Sequence, residues 1–386
     1  MTTVRVNRKA AERAASGHPW IFSSDVLDHG DAAPGDAVKV LDQRGQFLGV
    51  AHYSSTSQIT LRLLSPKPEP IDRSFFLKRL RAALQHRERV VENSDAYRLV
   101  SSEADLLPGL IIDRYSPYLV MQTLDQGMDR ARDVIADCLG ELLSPAGILL
   151  RNDAAVRKLE SLPQEVVTHS GEIPERVHIT MNGLRLEADL LHGQKTGVYL
   201  DQRENYVAAA RWARGRVLDC FTSTGGFALH AAQKAESVEA IDSSAGALAT
   251  AEANARANEI ANVNFRQADV FEYLSGAAPS GRRFSLIVLD PPAFAKSRRA
   301  VEDASRGYKE INLRALRLLE PGGVLVSCSC SHHMSEAALH EVIAEAALDA
   351  GKTLRIVERR TQAADHPILL TVPETLYLKC LIAEVL

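Results

Sequence analysis

No run in the 386 residues is apolar for long enough to span a membrane, and the N-terminus (MTTVRVNRKA) has no apolar signal core. Neither a transmembrane helix nor a leader is expected, and the chain reads as cytoplasmic. Cysteine is sparse: Cys138, Cys220, Cys328, Cys330 and Cys380 are scattered, odd in number and form no C-x-x-C pair. That speaks against a disulfide framework and a zinc site, and no metal is expected. Cys328-Ser-Cys330 is too tight for a zinc pair and needs another explanation. Positive charge is not in excess either, since 45 Lys and Arg stand against 49 Asp and Glu, for a net charge of −4. Nucleic-acid binders are often basic, so the sum argues mildly against one. Distribution matters more than the sum. Arg5, Arg8, Lys9 and Arg13 cluster at the N-terminus, and Lys78, Arg79, Arg81, Arg87 and Arg89 along one helical stretch. Each cluster is a candidate phosphate-contacting face or a solvated one. The full G-x-G-x-x-G fingerprint is missing, which disfavours a nicotinamide dehydrogenase. There is no internal repeat and no low-complexity tract.

What is present is an ordinary globular composition, 46% apolar and 24% charged, at a length that calls for two or three domains. Residues 1–68 read as strands and turns. The strand-like runs are 36–41, 46–51 and 58–64, with turns at Pro34-Gly35 and Arg44-Gly45. The proline-rich stretch Ser65-Pro-Lys-Pro-Glu-Pro70 closes this β-rich domain. Residues 69–172 form a small central α/β domain. Its amphipathic helix over 72–93 carries Phe75, Phe76, Leu80, Ala83 and Leu84 on one side. Strands follow near 96–100, 110–113, 119–122 and 147–151, with a helix at 127–142. Asn182-Gly183 between alternating runs marks a hairpin and opens a third domain, 173–386.

That third domain carries the most informative stretch, Val217-Leu-Asp-Cys-Phe-Thr-Ser-Thr-Gly-Gly-Phe227. An apolar strand, a tight glycine turn and a helix form the unit that cradles a nucleotide-like cofactor. Val238-Glu-Ala-Ile-Asp242 is a second strand ending in an acid. It lies about 20 residues beyond the turn, where an acid takes ribose hydroxyls. Phe265-Arg-Gln-Ala-Asp269 is a third. Phe284-Ser-Leu-Ile-Val-Leu-Asp290 is a buried-strand pattern running into Pro291-Pro292. Gly322-Gly-Val-Leu-Val-Ser-Cys-Ser-Cys-Ser331 reads as a fifth strand with Cys330 at its end. Asp242 and Asp269 are equally suited to capping turns or helices. If the fourth and fifth strands are neighbours, about 5 Å apart, Asp290 and Cys330 flank one pocket. A cysteine there suits a nucleophile if its thiolate is stabilised.

Three acid-ended strands in this order resemble the class I methyltransferases, which bind S-adenosylmethionine on a Rossmann-like α/β sheet. The resemblance implies that Asp219 and the Gly225–Gly226 turn face the methionine part, Asp242 the ribose and Asp269 the adenine amino group. Phe221, Thr222, Ser243 and Asp290 join this cofactor-binding set. Asp-Pro-Pro followed by Ser-Cys-Ser on the next strand resembles RNA 5-methylcytosine methyltransferases. The segments Leu107–Arg114, Lys195–Arg203, Gln362–Pro367 and Leu376–Lys379 narrow this to the bacterial ribosomal RNA large subunit methyltransferase I family. Gly17-His-Pro-Trp-Ile-Phe22 is similar to that family's RNA-binding PUA domain.

Membership implies 23S ribosomal RNA as partner, no membrane, and leaves a homodimer open. It also implies Cys330 as nucleophile toward C6 of cytosine and Asp290 as the partner of N3. One departure stands out: where many such enzymes carry a second cysteine after the Asp-x-Pro motif, this chain has Ala293. By resemblance Lys195, Tyr199, Gln202 and Arg203 line the cofactor mouth. Phe294 stacks on the target base or packs in the core, and His332 and His333 are candidates for tuning the thiolate. Cys328 is expected in the core, His366 in a turn, and Trp20 in the core rather than facing RNA. Two other readings stay open. One is an RNA amino-group methyltransferase, because Asp290-Pro-Pro-Ala-Phe294 resembles an Asp-Pro-Pro-aromatic motif with one residue inserted. The other is a non-catalytic RNA-binding or assembly protein on the same fold.

Overall fold

Alternation decides which way the N-terminal strands face. In Ala37–Leu41, Val38 and Val40 are buried and Lys39 is exposed, and in Thr3–Val6 the two valines are buried and Arg5 is exposed. The computed structural model describes residues 1–193, 195–277, 281–294, 301–331 and 334–386. By compactness the chain divides into two units. The first holds Met1–Ile179, Ala188–Val198 and Ala364–Thr375, and the second Thr180–Glu187, Tyr199–Ala363 and Leu376–Leu386.

In the first unit a six-stranded sheet runs in the order Trp20–Phe22, Ile59–Ser65, Phe47–Tyr53, Ala37–Leu41, Thr3–Val6, Val26–Asp28. Its core is Val4, Val6, Ile21, Val38, Val40, Ala51 and Leu61. A five-stranded sheet follows, in the order Glu165–Gly171, Gly147–Asn152, Tyr118–Thr123, Leu110–Tyr115, Ala96–Ser101. The helix Arg73–Val90 packs on it, N-capped by Asp72, whose carboxylate accepts from the backbone N–H of Ser74 and Phe75. The helix expected over 127–142 is two, Gln126–Arg130 and Arg132–Leu143.

The second basic cluster does not form one face. Lys78, Arg81 and Arg89 are exposed, but Arg87 is fully buried. Its guanidinium donates to both carboxylate oxygens of Asp105 and to the Asp365 carbonyl at 2.7 Å. The same unit buries a cluster of charges. Arg62 pairs with Glu160 at 2.8 Å and lies 3.8 Å from Asp125, the Ser54 hydroxyl donates to Glu160 at 2.6 Å, and His52 sits 3.7 Å from Asp125.

Two excursions from later in the chain belong here for polar reasons. The Thr196 hydroxyl donates to Asp113 at 2.7 Å, and Asp365 accepts from the backbone N–H of Arg98 at 2.8 Å.

The second unit is a seven-stranded sheet. Its strands are β1 (Arg216–Cys220), β2 (Ser237–Asp242), β3 (Val263–Gln267), β4 (Phe284–Leu289), β5 (Leu319–Ser329), β6 (Leu354–Arg360) and β7 (Lys379–Val385). The order is β3-β2-β1-β4-β5-β7-β6. The first five are parallel, and β7 lies antiparallel between β5 and β6. Buried parallel strands read as continuous apolar runs, as β4 does with every residue buried. Among the described residues six α-helices complete it: α1 (Arg203–Ala210), α2 (Gly226–Ala232), α3 (Ala245–Ala257), α4 (Val270–Ala277), α5 (Val301–Leu318) and α6 (Glu336–Asp349). The hairpin turn has Asn182 at φ 51° and Gly183 at φ 83°, the left-handed pair an Asn-Gly turn supplies. It is tied to this unit by Asn182, whose amide donates to the Arg203 carbonyl at 2.8 Å.

Candidate functional site

Strand order reverses between β1 and β4, and in an open parallel sheet that is where ligands bind, beyond the carboxyl ends. Asp219 sits at the end of β1 and Asp290 just past β4, with the Asp290 N–H 3.4 Å from the Cys220 carbonyl. Between β1 and α2 the chain turns through a left-handed sequence, with Phe221 at φ 65°, Ser223 at φ 49° and Gly225 at φ 89°. The two non-glycine residues cost roughly 1–3 kcal/mol each and persist only where the surroundings over-determine them.

Here the surroundings do so. Asp219 Oδ2 accepts from the Thr222 hydroxyl at 2.6 Å and the Ala228 N–H at 2.9 Å. The Thr222 N–H reaches the Ile241 carbonyl at 3.0 Å, and the Ser223 N–H reaches Asp242 Oδ2 at 2.9 Å. Gly226 has no room for a side chain, since a Cβ would lie 2.4 Å from the Tyr206 ring. His230 donates from Nδ1 to the Gly226 carbonyl at 2.7 Å and accepts at Nε2 from Asn182 at 3.0 Å. Burial holds this imidazole neutral, its pKa pushed down to about 4.

Asp219 is the site's unusual acid. It is 1% exposed, and burial, followed by the nearby charges of Asp290 and Asp242, pushes its pKa up to about 7 against the bonds from Thr222 and Ala228. Its Oδ1 receives no hydrogen bond among the described residues. A buried carboxylate oxygen without a donor fits a cationic ligand group. Asp242 anchors the loop with both oxygens, since Oδ1 also accepts from the Ser244 N–H at 2.9 Å. Ser243 is exposed and its carbonyl accepts from Gln267. Asp269 is exposed and caps α4, accepting from the Glu272 N–H at 3.0 Å, so its acid has a local structural role.

β4 and β5 are neighbours in parallel register, with Leu289 beside Ser327. The carboxylate of Asp290 accepts from the Gln202 amide at 3.0 Å. Gln202 accepts from Asn205 at 2.7 Å, and Asn205 accepts from Arg360 at 2.9 Å. Gln202 and Arg203 are both buried at the start of α1, and the half-buried Tyr199 precedes them. Cys330 is partly exposed, whereas Cys138, Cys220, Cys328 and Cys380 are buried. The serines on either side of Cys330 are fully buried and share one phenol: Ser329 donates to Tyr308 Oη at 2.9 Å, and Ser331 Oγ lies 3.1 Å from it. Cys328 stands opposite Cys380 on β7, in the core.

The remaining expectations fall elsewhere. Phe294 packs on Tyr308 at 4.8 Å and Phe271 at 6.1 Å between ring centroids. Lys195 is exposed in the first unit, and His366 is buried there beside Asp365. Trp20, also in the first unit, is half-buried and donates its indole N–H to Glu103 at 2.8 Å. His332 and His333 lie outside the described residues. Asn205, Arg360, Tyr308 and His230 carry no sequence signal of their own. Only the alternation in Ser329-Cys330-Ser331, which turns both serines to one side and the cysteine to the other, hints at such a partner as Tyr308.

Residues 4–66 match the PUA-like domain family and residues 155–382 the S-adenosylmethionine-dependent methyltransferase family. The chain is 42% identical to a protein of Tolumonas auensis named ribosomal RNA large subunit methyltransferase I, over 393 aligned positions and 99% of each chain. It is 42% identical to the protein of that name from Shewanella denitrificans, over 95% of each. Among solved structures it is similar to a methyltransferase complexed with SAH (22% identity, TM-score 0.86, all of both chains). A SAM-dependent methyltransferase from Streptococcus mutans is similar at 22% identity, TM-score 0.84 and full coverage of both chains.

Proposed function

The chain belongs to the ribosomal RNA large subunit methyltransferase I family, S-adenosylmethionine-dependent enzymes acting on ribosomal RNA, and from that premise we propose that it forms 5-methylcytosine in 23S ribosomal RNA through a covalent adduct on Cys330. The observation that carries the reading is the parallel pairing of β4 and β5. It sets Asp290 and the one partly exposed cysteine at the same end of the sheet. Residues 1–68 then serve as the RNA-binding part, 69–172 as a central α/β part and 173–386 as the catalytic part, in the cytoplasm. Among the described residues no helix is long and apolar enough to cross a membrane.

The residues present fit the cofactor. Asp219 offers an unsatisfied buried carboxylate oxygen to a positive group, beside the left-handed turn of Phe221, Ser223 and Gly225. Asp242, at the end of β2, is the proposed ribose acid, with Phe221, Thr222 and Ser243 around it. Gln202 and Arg203 enter through the start of α1. Bound S-adenosylmethionine supplies an electrophilic sulfonium methyl.

C5 of cytosine is too weak a nucleophile to take that methyl unaided. The Cys330 thiolate adds to C6: a C6–S bond forms and the C5–C6 π pair moves onto C5, which could then take the sulfonium methyl as the S–CH3 bond breaks and S-adenosylhomocysteine leaves. Asp290, as the protonated carboxyl, donates to N3 and favours the addition, while its Oδ1 accepts from the Gln202 amide. A base then removes the C5 proton, the pair re-forms the double bond, and Cys330 leaves as thiolate. Mass spectrometry of 23S ribosomal RNA incubated with the protein and cofactor tests the reading. A methyl group on C5 of a cytidine supports it, and one on an exocyclic nitrogen overturns it.

Two results concern the cofactor. Asp242→Ala weakens its binding by roughly 1–3 kcal/mol, the scale of a hydrogen bond to a charged group, because the Ser223 N–H loses its acceptor as well. Titration calorimetry with S-adenosylhomocysteine reads this, and an unchanged Kd removes Asp242 from the site. Asp219 makes cofactor binding pH-dependent. With its pKa near 7, the attractive carboxylate form is lost as pH falls. Affinity for S-adenosylmethionine therefore drops by up to about tenfold per pH unit below 7. Asp219→Asn flattens that profile and leaves the affinity low throughout.

A further inference from the structure

Lys379 is a buried ammonium. It opens β7, opposite Ser329 in the antiparallel register with β5, and is 6% exposed. Among the described residues it donates to two carbonyls, Ser331 O at 2.7 Å and Tyr377 O at 3.0 Å, and to no carboxylate. Taking a charge out of water costs several kcal/mol, and carbonyl contacts offset part of that. Burial accordingly pushes the amine down to about 8, still above neutral pH, and the charge of Cys330 works against the shift.

The Ser329-Cys330-Ser331 tripeptide is thus gripped twice. Tyr308 holds the hydroxyls of its outer residues, and Lys379 holds the carbonyl that follows the cysteine. Among the described residues, groups that interact with the sulfur include Tyr199, ahead of α1, and Tyr308 of α5. Burial pushes both phenols up, so they stay neutral. Of these groups Lys379 alone is cationic.

We propose that Lys379 is the positioning residue of the nucleophile: its ammonium fixes the Ser331 carbonyl and supplies the positive charge that keeps Cys330 as a thiolate. The inference rests on the reading of Cys330 as nucleophile. Ionisation sends the thiol proton to solvent, leaves the ammonium charged and changes no oxidation state. A cationic neighbour of this kind makes a partly exposed cysteine reactive.

The test is the pH dependence of Cys330 alkylation by iodoacetamide in the full-length protein without RNA, read by peptide mass spectrometry. The other four cysteines are buried. The midpoint in the unaltered protein is expected at least one unit below the ordinary thiol value of about 8.5. Lys379→Met raises it by a unit or more and slows alkylation at neutral pH about tenfold. Lys379→Arg, which keeps the charge, retains the low midpoint. A midpoint of about 8.5 or above in the unaltered protein overturns the proposal without any variant, so a Lys379→Met chain that fails to fold does not shield it. A folded Lys379→Met protein, checked by S-adenosylhomocysteine binding, with an unchanged midpoint overturns it too. Transfer activity of Cys330→Ala tests the nucleophile reading separately, since alkylation needs no RNA and the two can fail independently.

Discussion

Cys330→Ala abolishes methyl transfer to ribosomal RNA and leaves S-adenosylmethionine binding intact. The thiolate acts on the base and not on the sulfonium, so calorimetry is unmoved while turnover falls to background. The target base must leave its stack for the sulfur to reach C6, at a cost of a few kcal/mol unless it is already unpaired. Cys328→Ser is the control. Cys328 is fully buried opposite Cys380, so that change costs stability, on the order of 1–3 kcal/mol for a buried hydroxyl, and spares most of the activity. RNA carrying 5-fluorocytidine at the target traps an adduct with the unaltered enzyme, because fluorine blocks the proton loss that precedes release. Cys330→Ala forms none. Substantial transfer by Cys330→Ala on confirmed substrate would move the assignment to amino-group methylation, where no cysteine is required.

Asp290→Ala lowers kcat by about 10²–10⁴-fold, the range for a positioned group that shares a proton with the reacting centre. The loss falls on turnover more than on the KM for RNA, because the bond at N3 strengthens as the thiolate adds. Gln202 is 2% exposed and donates to the carboxylate. Gln202→Leu therefore removes the orientation of Asp290 but keeps its carboxyl group, and loses less activity. Single-turnover kinetics separates the two effects. A wild-type rate in Asp290→Ala would leave the acid at β4 with no part in the chemistry.

The parts of this site carried by local pattern are legible in the amino-acid order. An apolar run followed by an acid is a nearest-neighbour signal, so the strands ending at Asp219, Asp242 and Asp290 stand where that pattern puts them. The Asn182-Gly183 turn is equally local. What stays hidden depends on residues far apart in sequence. Ser329 and Ser331 meet Tyr308 from more than 20 positions away. Gln202 reaches Asp290 across 88. Arg87 looks like one more surface cation on a helix until Asp105 and the carbonyl of Asp365 close around it. The strands Trp20–Phe22 and Val26–Asp28 have three residues each, too few for alternation to register. Asp269 shows the opposite hazard: a strand-end acid that fits a ligand pattern also caps the next helix.

The buried charges around Glu160 bear on how the RNA-binding role of the N-terminal region can be studied. Arg62, Ser54 and His52 come from the first 68 residues, while Glu160 and Asp125 come from the next hundred. Cutting the chain at residue 69 strips two interior carboxylates of their neutralising partners, and breaking a buried pair in this way costs roughly 3–5 kcal/mol. An amputated protein would lose RNA affinity through collapse of what remains as readily as through missing contacts. Reversing the sign of exposed Arg5, Arg8 and Lys9 leaves that interior untouched, so graded surface substitution, rather than dissection, is the route to the RNA footprint.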